Sequence, residues 1–278
     1  MELDFPSLED AQSIENVYAI AMQKGGVGKT VATISLAAAA ARKGRTTLIV
    51  DMDPQGSASL YFKYRLKDSI KEHLYHLLVE GKQIEPIRLG KWISLLPAHN
   101  DLAAVQNLFP MLPTTQGRVN MVLARYLAPY ARNVDYVIVD CPPSLNLLTK
   151  NALGAARRVI VPCSTDEMAE DTLPQILRTV KDVQSDEKNG ANSELAVLCV
   201  LPTLYSSRST DSNDVLKDLK ETYGKEYLIY PEPVRRLEAY KKAVKESADV
   251  ALKDPEQGAY WDTFLERMIL QHSTVLEG

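Results

Sequence analysis

Short, continuously apolar runs alternate with longer stretches of helical spacing along most of this chain. Val17–Met22 (VYAIAM) ends at glycines, and the Ala-rich stretch Thr30–Arg42 after it predicts a helix. Thr46–Val50 (TTLIV) runs into Asp51, Trp92–Leu96 reads as a strand, and Tyr136–Val139 (YVIV) runs into Asp140. Arg158–Pro162 and Leu195–Leu201 read as further strands. Helices are predicted over Val119–Tyr130, near Met168–Val183 and near Asn213–Tyr223. Runs that are apolar at every position suit strands covered on both faces. Strands alternating with helices at this spacing predict an α/β fold: a doubly wound, mostly parallel sheet with helices on both faces. Ligands of such sheets bind at the C-terminal ends of the strands. Asp51, Asp140 and a glycine-rich segment all fall there.

Composition narrows the picture modestly. The 278 residues carry 32 Lys+Arg against 36 Asp+Glu, a formal net charge of −4, and 45% are hydrophobic. Those values exclude intrinsic disorder and argue against a wholly basic DNA-coating protein, while leaving room for a local basic face. We expect an N-terminal extension over residues 1–16, exposed and acidic, followed by a single domain over residues 17–278. The extension has no apolar core segment, so no signal peptide is read. No stretch approaches the ~18 apolar residues of a membrane span. Cys141, Cys163 and Cys199 sit at or beside apolar runs without a CxxC pair, and they read as small buried hydrophobes rather than metal ligands.

The glycine-rich segment is Gln23-Lys24-Gly25-Gly26-Val27-Gly28-Lys29-Thr30, between the first strand and the first helix. Glycines let the backbone curl until successive N–H groups face a phosphate, and the helix N-terminus adds a favourable dipole. Lys29 can reach the β- and γ-phosphates, and the Thr30 hydroxyl can ligate Mg²⁺. The strict GxxxxGK[ST] pattern would place glycine at position 23, where this chain has Gln, and the loop carries an additional lysine at 24. In this form KGGVGKT resembles the deviant Walker A motif of the ParA/MinD superfamily of P-loop ATPases. The resemblance implies that Lys24 reaches across a dimer to the other subunit's nucleotide, while Lys29 serves its own. It places Lys24, Gly25, Gly26, Val27, Gly28, Lys29, Thr30 and Val31 on the nucleotide, together with Pro233 further along the chain.

Two strand ends carry aspartates. In TTLIVDMDPQG, Asp51 and Asp53 are read as pointing to opposite sides of the chain, before Pro54 stops the ladder. The segment resembles the switch I region of that superfamily. The resemblance implies that Asp53 activates the attacking water and that Asp51 supports the phosphate and Mg²⁺ site. YVIVD is a Walker B arrangement in which Asp140 holds Mg²⁺ through water. DCPPSLNLLTKNAL, Asp140–Leu153, resembles the matching family segment almost letter for letter. The likeness extends from about Tyr18 to Leu265 and is strongest to ParA/Soj partition ATPases.

Beyond Pro202, PTLYSSR and YPEPVRRLEA resemble family segments that carry arginines for sequence-independent DNA contact. The match implies DNA-binding roles for Arg208 and Arg235, with Arg236, Lys241, Lys242 and Lys245 close behind. From Arg235 to Lys245 there are five basic residues and one acidic one. Glu232 and Pro233 depart from the family's Arg and Asn, and AYKKAVKES replaces its APxxGxP continuation. Tyr260–Leu270 carries one cation, Arg267, so it reads as a final helix packed on the core rather than a lipid-binding one.

The resemblance thus implies an ATP- and Mg²⁺-dependent ATPase that forms a homodimer on ATP and binds double-stranded DNA nonspecifically. A ParB-like protein would stimulate it, and plasmid or chromosome DNA would be its cargo on the nucleoid in the cytoplasm. Alternatives within the superfamily are transport of a carboxysome or chemoreceptor array, a MinD-like membrane-recruited regulator, and an iron–sulfur carrier. The last would need paired cysteines.

Overall fold

The computed structural model describes residues 3–66, 72–112, 117–165, 169–236 and 238–270. Seven strands form one sheet: β1 (Ile14–Ile20), β2 (Thr47–Asp51), β3 (Ile87–Arg88), β4 (Ile93–Leu96), β5 (Tyr136–Asp140), β6 (Ala156–Ser164) and β7 (Ala196–Thr203). Their order is β3-β4-β2-β5-β1-β6-β7, parallel throughout except for the short antiparallel β3. The helices are α1 (Lys29–Arg42), α2 (Ser57–Leu66), α3 (Leu74–Glu80), α4 (Val105–Leu108), α5 (Val122–Ala131), α6 (Leu147–Ala155), α7 (Ala169–Ser185), α8 (Thr210–Tyr223), α9 (Glu238–Glu246) and α10 (Pro255–Leu265). The chain winds one way from β1 toward β4 and the other way from β5 toward β7. The reversal falls at the β1/β5 pair, the switch point where doubly wound sheets bind ligands.

The strands are apolar at every position because both faces are covered. Val17 and Ala19 of β1, Leu48 and Val50 of β2, and Val137 and Val139 of β5 pack into one core with helices α3, α5, α6 and α7. Their neighbours Tyr18, Ile20, Ile49, Tyr136 and Ile138 pack into the other core with α1, α2, α9 and α10. The two-residue period of an extended chain distributes each strand between the cores in this way. Arg42, at the end of α1, fastens α10. Its guanidinium pairs with Asp249 and Asp262 and donates to the Gly258 carbonyl at 3.1 Å.

Two expectations change. Residues 3–16 are not an exposed appendage. β1 begins at Ile14, three positions before the expected start of the domain, and Leu8 and Ala11 are buried in the first core. The Phe5 and Tyr126 rings meet edge to face at 5.1 Å, and Arg118 and Arg125 donate to the carbonyls of Glu9, Ala11 and Pro6. The apolar residues Leu3, Phe5, Leu8, Ala11 and Ile14 are spread singly among polar and acidic ones, and packing them on the core removes their surface from water. The final helix begins at Pro255, capped by the Asp254 side chain on the Glu256 and Gln257 amides, five residues earlier than Tyr260. It does pack on the core, with Trp261, Phe264 and Leu265 fully buried. The expected start of the helix near Met168 lies outside the described residues.

Candidate nucleotide site

Between β1 and α1 the chain turns through Gly26 (φ 73°) and Gly28 (φ 93°), both in the left-handed region that L side chains rarely adopt. A Cβ at either position would meet nothing within 4 Å, so backbone conformation rather than crowding requires glycine there. Gly28 caps α1 without any side-chain hydrogen bond, and the first turn of the helix holds no acidic residue. The N-terminal amides of α1 are thus left to an anion. Lys29 is 7% exposed, and its Nζ donates to the Lys24 carbonyl at 2.9 Å, drawing the loop into a closed arc. Burial lowers the Lys29 pKa, and Asp140 opposes that shift. A bond the sequence did not suggest fixes the far side of the loop, where Thr203 Oγ1 at the end of β7 donates to the Val27 carbonyl at 2.8 Å.

β2 and β5 end side by side, with Asp51 opposite Asp140 in register. Thr30 Oγ1 donates to Asp140 Oδ2 at 2.7 Å, while Asp140 Oδ1 is buried with no hydrogen-bond partner. Burial raises the Asp140 pKa well above its ordinary value, and the charge of Asp51 adds to the shift. A buried carboxylate oxygen with nothing to bind, beside a helix-opening hydroxyl, suits a divalent cation. Thr30 and Asp140 therefore fit a magnesium ion.

Asp51, expected beside the metal and phosphate, spends its oxygens elsewhere. Oδ2 accepts from both the amide and the hydroxyl of Ser59 at 2.7 Å, and Oδ1 accepts from the Asp53 amide at 3.3 Å. It anchors the first turn of α2 from behind the site, and burial lifts its pKa to about 6. Nor do Asp51 and Asp53 point to opposite sides. Residues two apart in an extended chain share a face, and the charges of both raise the Asp140 pKa. Asp53 lines the cleft, with its Oδ1 accepting from the Gln55 amide at 2.9 Å.

That cleft, of about 680 Å³, is lined by Gly25, Gly26, Gly28, Lys29, Thr30, Val31 and Asp53, and on its outer wall by Gln55, Leu60, Tyr61, Pro143 and Lys245. A second cavity of about 390 Å³ shares Gly26, Gly28 and Val31 and continues to Thr203, Val234, Tyr240 and Trp261, with Arg235, Arg236, Lys241 and Lys245 on its walls. Pro233 is half-buried and outside both linings, and its neighbour Val234 takes the place expected of it. Buried bonds from Trp261 Nε1 to the Tyr240 hydroxyl (3.0 Å), and from that hydroxyl to Gln257 (2.9 Å), hold the apolar wall. Of the six basic residues expected on DNA, four thus stand around this cavity. Arg208 and Lys242 line neither cavity and are exposed.

A doubly wound sheet with a phosphate-binding loop at its switch point, a buried lysine and a Thr–Asp metal pair defines a P-loop nucleotide hydrolase. Comparison with known proteins narrows the class. A family model described as an AAA domain matches residues 15–197. The chain is 34% identical over 229 residues to the chromosome partitioning protein ParA of Myxococcus xanthus, covering 80% of this chain and 77% of that protein. It is 32% identical over 242 residues to the sporulation initiation inhibitor protein Soj of Bacillus subtilis, covering 86% and 91%. A crystal structure named cobyrinic acid a,c-diamide synthase, from Mycobacterium smegmatis with bound ADP and magnesium, is 37% identical. It superposes with a TM-score of 0.70 over 88% of this chain and 97% of its own. The chain belongs to the ParA/Soj family of P-loop ATPases.

Proposed function

We propose that this ATPase is a nucleotide-gated DNA clamp that moves cargo DNA with a ParB-like partner. The observation that carries the reading is the pairing of Thr30 with a half-satisfied Asp140 at the foot of a loop holding two lysines. The loop amides, Lys29 and Thr30 bind the triphosphate of ATP, and the apolar second cavity takes the base. Thr30 and Asp140 would hold a magnesium ion, which would supply positive charge to the triphosphate. Asp53 lines the cleft and orients the attacking water. Lys24 acts on the nucleotide of a second copy, so hydrolysis requires a homodimer. Arg208, Arg235, Arg236, Lys241, Lys242 and Lys245 contact phosphates of double-stranded DNA without reading sequence. The protein would then be found on the nucleoid.

Two relatives named for partitioning or as Soj support this reading over the amide synthesis named for the M. smegmatis protein. Here all three cysteines are buried, and burial pushes the Cys163 thiol up to about 12 and Cys141 and Cys199 higher still. Those separate, buried thiols support no iron–sulfur role. Among the described residues no helix is long and apolar enough to cross a membrane.

The test is binding to random-sequence duplex DNA with ATP, with ADP and without nucleotide, across a salt series. Binding confined to ATP and falling steeply with salt is the expected result. Equal binding in the ATP and ADP states would overturn the reading.

A further inference from the structure

Three of the chain's four histidines, His73, His76 and His99, meet at one place, although 23 residues separate the last two in sequence. His73 immediately precedes α3, and His99 opens the 3₁₀ turn Asn100–Ala104 after β4. The Leu74 amide donates to the Pro97 carbonyl at 2.9 Å and ties the two segments together. The His73 ring stacks on His99 with centroids 4.3 Å apart and lies 4.2 Å from His76. His99 Nδ1 is 3.0 Å from Asp101 Oδ2.

Ligand atoms of His73, His99 and Asp101 all lie within 4.8 Å of one another. His73 is 6% exposed, and its Nδ1 is buried without a hydrogen-bond partner. A buried imidazole nitrogen without a partner is open to a ligand. The neutral imidazole is the form that ligates metals.

We propose that His73, His99 and Asp101 bind a divalent transition-metal ion of the zinc class. Two imidazoles and a carboxylate suit zinc, cobalt, nickel or copper better than magnesium. Around a tetrahedral ion with bonds of about 2.0–2.1 Å, donors stand roughly 3.3 Å apart. His99 and Asp101 are both about half exposed and can turn to close the remaining distance. None of these residues lines the nucleotide cavities, so this is a second site. One residue along, the Ala98 amide donates to Ser59 Oγ, the hydroxyl that holds Asp51. A bound ion would therefore brace the support of the switch-like turn.

The experiment is titration of the untagged, chelator-stripped full chain with Co²⁺, then Zn²⁺, with Mg²⁺ in excess to fill the nucleotide site. One equivalent of Co²⁺ should bind with visible d–d absorption and be displaced by Zn²⁺. His99→Ala and Asp101→Asn alter exposed side chains, so circular dichroism should remain native. Each should weaken binding by more than the roughly 10–100-fold that loss of an outer-sphere partner costs. His272→Ala should leave it unchanged. Failure to take up either ion would overturn the site, as would uptake that survives both exposed substitutions or that is lost with His272.

Discussion

Lys29 is 7% exposed, with its amine bonded to the carbonyl of Lys24, whereas Arg208 and Arg235 stand in solvent beyond β7. Lys29 is positioned by backbone: left-handed Gly28 precedes it, its amine bonds the Lys24 carbonyl, and Thr203 from another strand end fixes the loop at Val27. The arginines are positioned by little beyond their own loops, and Arg235 already shares an exposed ion pair with Glu256 at 3.3 Å. Exposed pairs are worth only about 0–1 kcal/mol, so that one yields readily to a phosphate. On the proposed function, the phosphate end would discriminate by geometry and the basic margin would act by charge and number. Damage to the two should look different: abrupt and all-or-none at the loop, graded and salt-dependent at the margin.

The sharpest test of that contrast is Lys24→Ala. It should lower the ATP hydrolysis rate on the order of 10³-fold or more, as removal of an arginine finger does, while single-turnover binding of labelled ATP persists. A fall of less than tenfold would place Lys24 outside the reaction. Asp140→Asn keeps an acceptor for Thr30 but removes the charge opposite it. Hydrolysis should then slow and require a higher Mg²⁺ concentration for half-saturation, read from a steady-state Mg²⁺ titration. Ser59→Ala strips a hydrogen bond from Asp51 and another from the Ala98 amide. It should cost about 1–3 kcal/mol, read as a lower midpoint in urea, because both partners are left buried. The smallest effect belongs to the margin. Arg208→Ala should reduce the slope of log affinity against log salt by about 0.9, one phosphate contact, with ATP affinity unchanged. A lost nucleotide affinity in that variant would erase the distinction between the regions.

Legibility in the sequence divided along the same line. Strand runs, the glycine loop and the aspartates at strand ends were readable because each is a local pattern with one physical cause. β5 (Tyr136–Asp140) was placed to within one residue, and α1 (Lys29–Arg42) likewise. The short α2, α3, α4, α6 and α9 were not anticipated. α2 follows a turn whose helix-starting partner, Asp51, lies six residues upstream of its first residue, and α9 carries three lysines in nine residues that read only as charge. Ser59, Thr203 and Tyr240 support the site through bonds to residues distant in sequence, and no short motif announces such bonds. The histidine group escaped notice for the same reason. His73 and His99 become neighbours only when β4 returns beside β2.

After α8 the chain returns to β7 and runs parallel beside it. Val200 bridges Ile229 and Tyr205 bridges Arg235, with backbone bonds from Tyr230 to Val200 and from Val234 to Pro202. The segment hems the outer strand, and the opposite margin of the sheet is the two-residue β3. Open strand edges invite other chains to add to the ladder, the usual route to runaway aggregation. One edge is hemmed and the other cut short, which disfavours such addition. The two margins of the sheet thus offer little open ladder for a second copy to extend.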